Sequence, residues 1–377
     1  MIKSVLFVVM LVVFGCNMNN GHNNLILKKD NPFQTLIDSV VVSNGGVAGI
    51  IIHIESPGLN ISWTGCAGAD KVDSAPNLKT DQPFRVASIT KTYVATAILL
   101  LAEQNKLNID DSVELYLSGE STGMLKSEGY QTGKVTIRSL LNHTSGIFDY
   151  AMSDYYFNKI NADPNHKWSR KEQLEIAMQY GEPLGEPNEQ FHYSDTGYIL
   201  LGEIIESITG KTLAKSLRDL IGFEKSGLNA TWTEFIEPKP KEMPDIVHPY
   251  YSGKDFYATH PSIDLFGGGG LVSTAPDLAH FFQLLFSNGV FTEHSTLETM
   301  LAKTKLPNKL QAVQDYRLGI QVTEINGYEV YYHMGIWGTI AAYIPELNST
   351  VVSNFTNSYD PEIIVKSISI LENLTKK

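Results

Sequence analysis

The sequence predicts an α+β protein. One sheet is assembled from both ends of the chain, and a mostly helical lobe is inserted between its two halves. Three observations predict it. Val47–Ile54 is a β-branched run bounded by Gly45-Gly46 and Pro57-Gly58, which reads as a central strand. Four more strand-like runs stand near the other end, at Tyr316–Thr323, Glu329–His333, Ile340–Ile344 and Thr350–Asn354. Between these ends, residues 107–261 are dominated by helical spacing, turns and a Pro-rich connection from Pro238 to Pro261.

The first residues are an address rather than part of the fold. Lys3 precedes an unbroken apolar run, Val5 to Phe14, and then Gly15-Cys16. The run is too short to span a membrane and fits the apolar region of a signal peptide, over residues 1–15. Val13-Phe14-Gly15-Cys16 resembles the bacterial lipobox. That resemblance implies cleavage before Cys16, a diacylglyceryl thioether on its sulfur, and a cell-envelope protein held at a membrane by lipid. Asn17, in place of the Asp that retains lipoproteins at the inner membrane, points to the outer membrane and periplasm if the source is Gram-negative. The alternative is ordinary secretion with Cys16 as a spare thiol. Residues 16–32 read as a flexible tether, polar and Asn-rich from Asn17 to Asn24.

The two cysteines are then Cys16 and Cys66. If Cys16 is lipidated, Cys66 has no partner for an intramolecular disulfide, and stability rests on the core. Cys66 reads as a small packing residue. About 360 residues follow the leader, enough for a large core or two lobes. The formal net charge of -12 and the lack of a basic stripe oppose nucleic-acid binding.

Ile61–Gly68 alternates and pairs with the preceding strand as a hairpin. Next comes Phe84-Arg85-Val86-Ala87-Ser88-Ile89-Thr90-Lys91, leading into an apolar run at helical spacing that ends near Glu103. Ser88 and Lys91, three apart, share one helix face. A lysine buried in an apolar helix loses part of its preference for the charged form and can act as a base. A serine beside such a base becomes a nucleophile. Backbone N–H groups at the helix start suit an oxyanion. The plain alternative is a capping serine and a surface lysine.

Residues 33–106 and 262–377 form the mixed lobe, and 107–261 the helical one. Helices are expected within Val135–Gly146 and over Lys171–Tyr180, Thr196–Thr209, Ala279–Leu285 and Glu362–Leu374. Gly267–Gly270 lacks the Lys-Ser/Thr of a phosphate loop and reads as a turn or a close-packed strand entry. Two further stretches carry chemistry. Tyr193-Ser194-Asp195-Thr196-Gly197-Tyr198 opens a helix, and its tyrosine can relay a proton beside a Ser–Lys pair. His333-Met334-Gly335-Ile336-Trp337-Gly338 ends a strand, with glycines that let a substrate backbone approach.

Taken in order, Ser-x-x-Lys, Tyr-x-Asp and His-x-Gly resemble the motif triplet of the serine β-lactamase and penicillin-binding superfamily. The closer resemblance is to its branch of class C β-lactamases, D-alanyl-D-alanine carboxypeptidases of the His-Thr-Gly type and related esterases. It covers roughly residues 33 to 370 and takes in Leu140–Gly146 and Gly269–Thr274 as well. It implies the β-lactamase/transpeptidase-like fold: an antiparallel sheet flanked by helices with an inserted mostly helical lobe, and the site in the cleft between lobes. It implies Ser88 as acylated nucleophile, Lys91 and Tyr193 as general base and then acid, and His333 as support for the Tyr193 proton network. The N–H groups of Ser88 and Ile336 would form the oxyanion hole, and Gly335 and Asp195 would line the substrate. No metal or other cofactor is needed. The substrates implied are D-Ala-D-Ala-type peptides of the cell wall, β-lactams, or small esters and amides.

Two departures from the family pattern bear on substrate. Asp195 stands where many relatives have Asn; a carboxylate accepts but cannot donate, and it favours the charged form of Lys91. Met334 stands where carboxypeptidase relatives have a hydroxyl that helps hold the substrate carboxylate. Arg317 is a candidate to supply that charge through a bidentate contact; the alternative is an outward-facing surface arginine. A non-catalytic penicillin- or peptidoglycan-binding sensor that keeps the fold is the rival function. Oligomeric state has no signature in the sequence.

Overall fold

The computed structural model describes residues 31–43, 46–306 and 315–376. The leader, Cys16 and most of the tether lie outside the described residues. Its main sheet has seven strands: β1 (Gly49–Ser56), β2 (Ile61–Gly68), β3 (Asp315–Tyr316), β4 (Gln321–Ile325), β5 (Tyr328–Gly335), β6 (Thr339–Ile344) and β7 (Ser349–Phe355). Their order is β2-β1-β7-β6-β5-β4-β3, and every pair is antiparallel. The first two strands and the last five thus share one sheet, as expected, with β1 against β7 at the seam (His53 opposite Val352).

Alternation across the sheet explains the β-branched run of β1. Ile50, Ile52 and Ile54 face one layer, and Ile51 faces the other; all four are fully buried. Five helices organise the rest: α1 (Pro32–Ser43), α2 (Thr90–Glu103), α3 (Asp195–Thr209), α4 (Ala275–Phe286) and α5 (Glu362–Thr375). Phe33 and Ile37 of α1 pack with Ile363 and Ile368 of α5 on the Ile50 face. Helices α2, α3 and α4 join the larger core on the other face, where Cys66 is buried too. Short helices at Gly119–Ser127, Ile137–Leu141, Asp154–Ala162, Arg170–Tyr180 and Leu213–Ile221 fill the middle of the chain. Among the described residues, no helix is long and apolar enough to cross a membrane.

One expected strand is corrected. Tyr316–Thr323 is not continuous: it breaks into β3 and β4, which pair with each other (Tyr316 opposite Gln321). Gly319 has φ +75°, and the Arg317 N–H bonds the Ile320 carbonyl at 2.8 Å, closing a tight turn. A Cβ at Gly319 would lie 2.4 Å from the Ala95 Cβ, so the turn is pressed against α2.

Candidate active site

Ser88 lies in a single helical turn, Ala87–Ile89, that leads directly into α2. Ala87 just before it sits in the left-handed region, at φ +47°. For a residue with a Cβ this costs about 1–2 kcal/mol and is held only by surrounding structure. The support is visible: Val86 N–H bonds the Leu271 carbonyl, and Thr339 Oγ1 donates to the Arg85 carbonyl. Arg85 itself is fixed by two bonds to Glu234, at 2.6 and 3.0 Å.

One turn on, Lys91 is fully buried. Its Nζ donates to Ser88 Oγ at 3.0 Å and to the Gly268 carbonyl at 2.7 Å, and it is ion-paired with Asp195. An ammonium has three N–H donors, and these three partners occupy them. The glycine run is therefore a strap that presents a carbonyl to Lys91. Phe266, at φ +69°, and Gly267, at φ +129°, turn the chain into it.

Burial alone lowers the lysine pKa, as expected from the sequence, but it does not prevail. The Asp195 carboxylate, then Tyr193 and Asp264, push it well above the ordinary lysine range. The expectation of a lysine made neutral by burial is corrected: Lys91 is an ammonium, for the reason that Asp195 already suggested.

Tyr193 precedes the N-cap of α3, where Ser194 Oγ accepts from the Gly197 N–H. Its phenol is pushed up to about 12, first by burial; Lys91 and a hydrogen bond from Ser88 pull the other way. Lys91 Nζ stands 5.0 Å from its ring centre. Ser88, Lys91, Tyr193 and Asp195 are thus brought together from the start of α2 and the start of α3.

His333 comes from β5 and is buried. Its Nδ1 lies 2.9 Å from the Met334 carbonyl, which can only accept, so Nδ1 carries the proton. Nε2 then accepts from the Tyr316 hydroxyl, at 2.9 Å. Burial and the nearby Lys91 charge hold this imidazole neutral, with its pKa lowered to about 3. Tyr316 in turn lies 6.1 Å from the Tyr193 ring and 4.5 Å from that of His143. His143, also buried and held neutral by burial, accepts the Ser194 N–H on Nδ1 and stacks 4.1 Å from Tyr193. His333 therefore bears on Tyr193 through Tyr316 rather than as a cation.

Beyond Tyr332, paired with Gln321, His333–Gly335 of β5 has no partner on the β4 side among the described residues. A Cβ at Gly335 would meet the Val86 carbonyl at 2.3 Å, so this glycine allows the strand to close on the Ser88 turn and brings the Ile336 N–H toward it. Ser88, Tyr193, Gln321, His333, Met334, Gly335, Ile336 and Tyr359 line a cleft of about 430 Å³. Asp195 lies beneath it on Lys91 rather than in its wall.

Arg317 is placed elsewhere. Its Nε and Nη2 bond the two Asp315 oxygens at 2.6 and 2.7 Å, and Nη1 donates to the Leu301 carbonyl. The Gly319 turn swings it away from the cleft and gives it a carboxylate of its own, so the idea that it meets a substrate carboxylate is corrected. Sequence reasoning also missed several neighbours. Tyr316, Gln321 and Tyr359 carry no motif, and Gly268 acts through its backbone. Asp149 and Asp264 add two carboxyl groups near the Lys91–Asp195 pair. Desolvation and the Asp195 charge raise them to about 8 and about 7 respectively.

The match to known proteins agrees with this geometry. The Beta-lactamase family model covers residues 39–369. Penicillin-binding protein 4* of Bacillus subtilis is 29% identical over 255 residues, 64% of this chain and 52% of that protein. The chain thus spans about half the length of that relative. Among solved structures, a D-stereospecific amidohydrolase from Streptomyces sp. superposes with a TM-score of 0.75 at 26% identity, over 90% of this chain and 98% of the other. The D-amino acid amidase from Ochrobactrum anthropi SV3 has the same TM-score at 23% identity, over 92% and 99%. With the family match running through most of its length, the chain belongs to the Beta-lactamase family of serine hydrolases and penicillin-binding homologues.

Proposed function

We propose that the protein is a serine hydrolase that acts through an acyl-enzyme on small uncharged esters and amides. The observation that carries this reading is the wall of the Ser88 cleft. Among the described residues it holds no lysine, arginine or charged histidine: His333 is neutral, Met334 offers a thioether, and Arg317 is engaged with Asp315. A substrate with a free carboxylate beside its scissile bond, as in a D-Ala-D-Ala peptide or a β-lactam, would meet no cation among the described residues of that wall, since Lys91 behind Ser88 is already paired with Asp195. A neutral amide or ester loses nothing there. The Streptomyces relative, named as a D-stereospecific amidohydrolase, is consistent with this class.

The roles follow from the contacts. The reactive form is the Tyr193 phenolate, stabilised by the Lys91 ammonium. It takes the Ser88 proton as Oγ attacks the carbonyl carbon, and the Ser88 and Ile336 N–H groups hold the oxyanion. The C–O or C–N bond breaks, and Tyr193 returns the proton to the leaving group. Water repeats the sequence on the acyl-enzyme and releases the acid. Location at a cell-envelope membrane through lipid on Cys16 belongs to the same reading and is supported by the Val13–Cys16 pattern.

The test compares kcat/KM for N-acetyl-D-alanine amide and methyl ester with that for N-acetyl-D-alanyl-D-alanine, beside Ser88→Ala and a fluorescent penicillin. Turnover of the neutral pair at least tenfold above the free acid, lost in Ser88→Ala, is expected. Faster turnover of the carboxylate-bearing peptide overturns the reading. A lasting adduct with no turnover would assign the protein to the penicillin-binding sensors instead.

A further inference from the structure

A second cavity of about 290 Å³ lies on the other face of the sheet, between β4, β5 and β6 and the start of α5. Its lining is almost wholly apolar and includes Tyr332, Met334, Ala342, Tyr359, Pro361 and Ile364. Met334 and Tyr359 also line the Ser88 cleft, so the two spaces share one wall made of these two side chains. The wall is thin. Met334 lies beyond the last β4–β5 pair found among the described residues, and the Tyr359 hydroxyl donates to its sulfur. Met has three rotatable side-chain bonds and Met334 is only partly buried against the smaller core, while Tyr359 is 42% exposed, so both side chains can shift.

The contacts also say which part of a substrate faces this wall. Tyr193, which returns the proton, stands beside Tyr316, and Tyr316 is bonded to His333. The oxyanion donor Ile336 is three residues further along the chain. A leaving group that takes its proton from Tyr193 is thereby close to the side of the cleft where Tyr316 and His333 stand.

We propose that the back cavity is a leaving-group pocket, entered past Met334 and Tyr359, and that it selects substrates whose alcohol or amine half carries a linear apolar tail. This rests on the reading of the cleft as an acyl hydrolase and adds the substrate's leaving half to it. The occupant is fixed by continuity with the reactive cleft: a tail carried on the ester oxygen or amide nitrogen of the scissile bond reaches the cavity without leaving the site. No new bond chemistry is involved; the tail leaves as the free alcohol or amine.

The experiment measures acetate release from ethyl, butyl, hexyl and octyl acetate by the whole protein, with ethyl butyrate to octanoate as the acyl-lengthened control. Expected is a rise in kcat/KM of up to about fourfold per added methylene in the alcohol, and a much smaller rise on the acyl side. Ala342→Leu, which fills the cavity from β6, should remove the alcohol-side gain and leave ethyl acetate turnover unchanged. Ile364→Phe, from α5, should do the same if Ala342→Leu folds poorly. Hexan-1-ol alone should raise the Tm of the wild type and of Ser88→Ala, but not of Ala342→Leu. That binding readout is independent of the chemistry. Loss of all ester turnover with the hexanol shift intact would sink the hydrolase reading and not the cavity. Ester turnover with no dependence on alcohol length, or a length gain that survives both filling variants, overturns the pocket.

Discussion

Replacing Asp195 with Asn should shift the activity of this protein toward lower pH. In the wild type, Asp195 is ion-paired to a fully buried Lys91, and its charge also raises Tyr193. Two opposite charges about 4 Å apart, at an effective dielectric near 20, attract by about 4 kcal/mol. Part of that returns in the variant. Asp149 and Asp264 are held up to about 8 and about 7 partly by the Asp195 charge, so its removal lets both ionise more readily and partner Lys91 instead. Halving the attraction leaves about 2 kcal/mol, or roughly a 30-fold change in the population of the basic form at fixed pH.

The sign is fixed by the charges. A negative neighbour raises both the ammonium and the phenol, so its loss lowers both, and the reactive form is reached at lower pH. Wild-type kcat/KM for p-nitrophenyl acetate should climb steadily from pH 7 to 10, because a phenol near 12 is still protonated throughout that range. The Asp195→Asn curve should lie one to two pH units to the acid side and run about 30-fold faster at pH 7. An ester is the right probe because it isolates acylation from any new hydrogen bond that the introduced side-chain amide offers to an acyl-amide substrate. A curve that stays in place or moves to higher pH refutes the reasoning. Complete loss of activity would instead make Asp195 itself the proton acceptor.

Three further outcomes follow from the same contacts. Asp149 and Asp264 have folded-state pKa values raised far above the ordinary carboxyl range of about 4, so the fold prefers them protonated. Their contribution is complete below about pH 4 and is lost as pH rises through 7 and 8; Tm should fall over that window, and Asp264→Asn should flatten the fall. Tyr316→Phe leaves the buried Nε2 of His333 without a donor and should destabilise by about 1–3 kcal/mol in urea unfolding, with a loss of kcat as Tyr193 loses its backing. Cys16→Ser should abolish incorporation of an alkyne-tagged fatty acid in the producing cell; label retained in that variant would remove the lipid-anchor reading.

Much of the candidate site was legible because a nucleophile and its proton partners need particular side chains at short spacing. Ser88 and Lys91 are neighbours on one helix face, and Tyr193 lies immediately ahead of a helix with a clear N-cap, so local rules place all three. What escaped was set by the fold at long range. The Tyr316–Thr323 run has the composition of one strand, and the positive φ of Gly319 with the Arg317–Ile320 bond makes it a hairpin pressed against Ala95. That turn decides where Arg317 points. Asp149 and Asp264 are separated by more than a hundred residues and converge near Asp195 only in three dimensions, so their effect on Lys91 had no sequence signal. The charge state of Lys91 illustrates the limit: burial and Asp195 push in opposite directions, both were visible, and their balance needed the structure.

The glycine strap provides the sharpest case of position set by backbone alone. Gly267 has φ +129°, and a Cβ there would lie 2.3 Å from the Tyr198 carbonyl of α3. Gly267→Ala therefore forces the strap away from α3, and with it the Gly268 carbonyl that accepts from Lys91. A displacement of about 1 Å in such a site typically costs on the order of 100-fold in rate. Gly253 separates this from simple backbone strain: its φ is +75°, and nothing lies within 4 Å of its added Cβ. Gly253→Ala should lower stability by about 1–2 kcal/mol and leave kcat/KM unchanged. Gly267→Ala should lose activity far beyond its loss of Tm. If the two variants lose activity in equal measure, the strap does not position Lys91, and the third ammonium contact has no catalytic consequence.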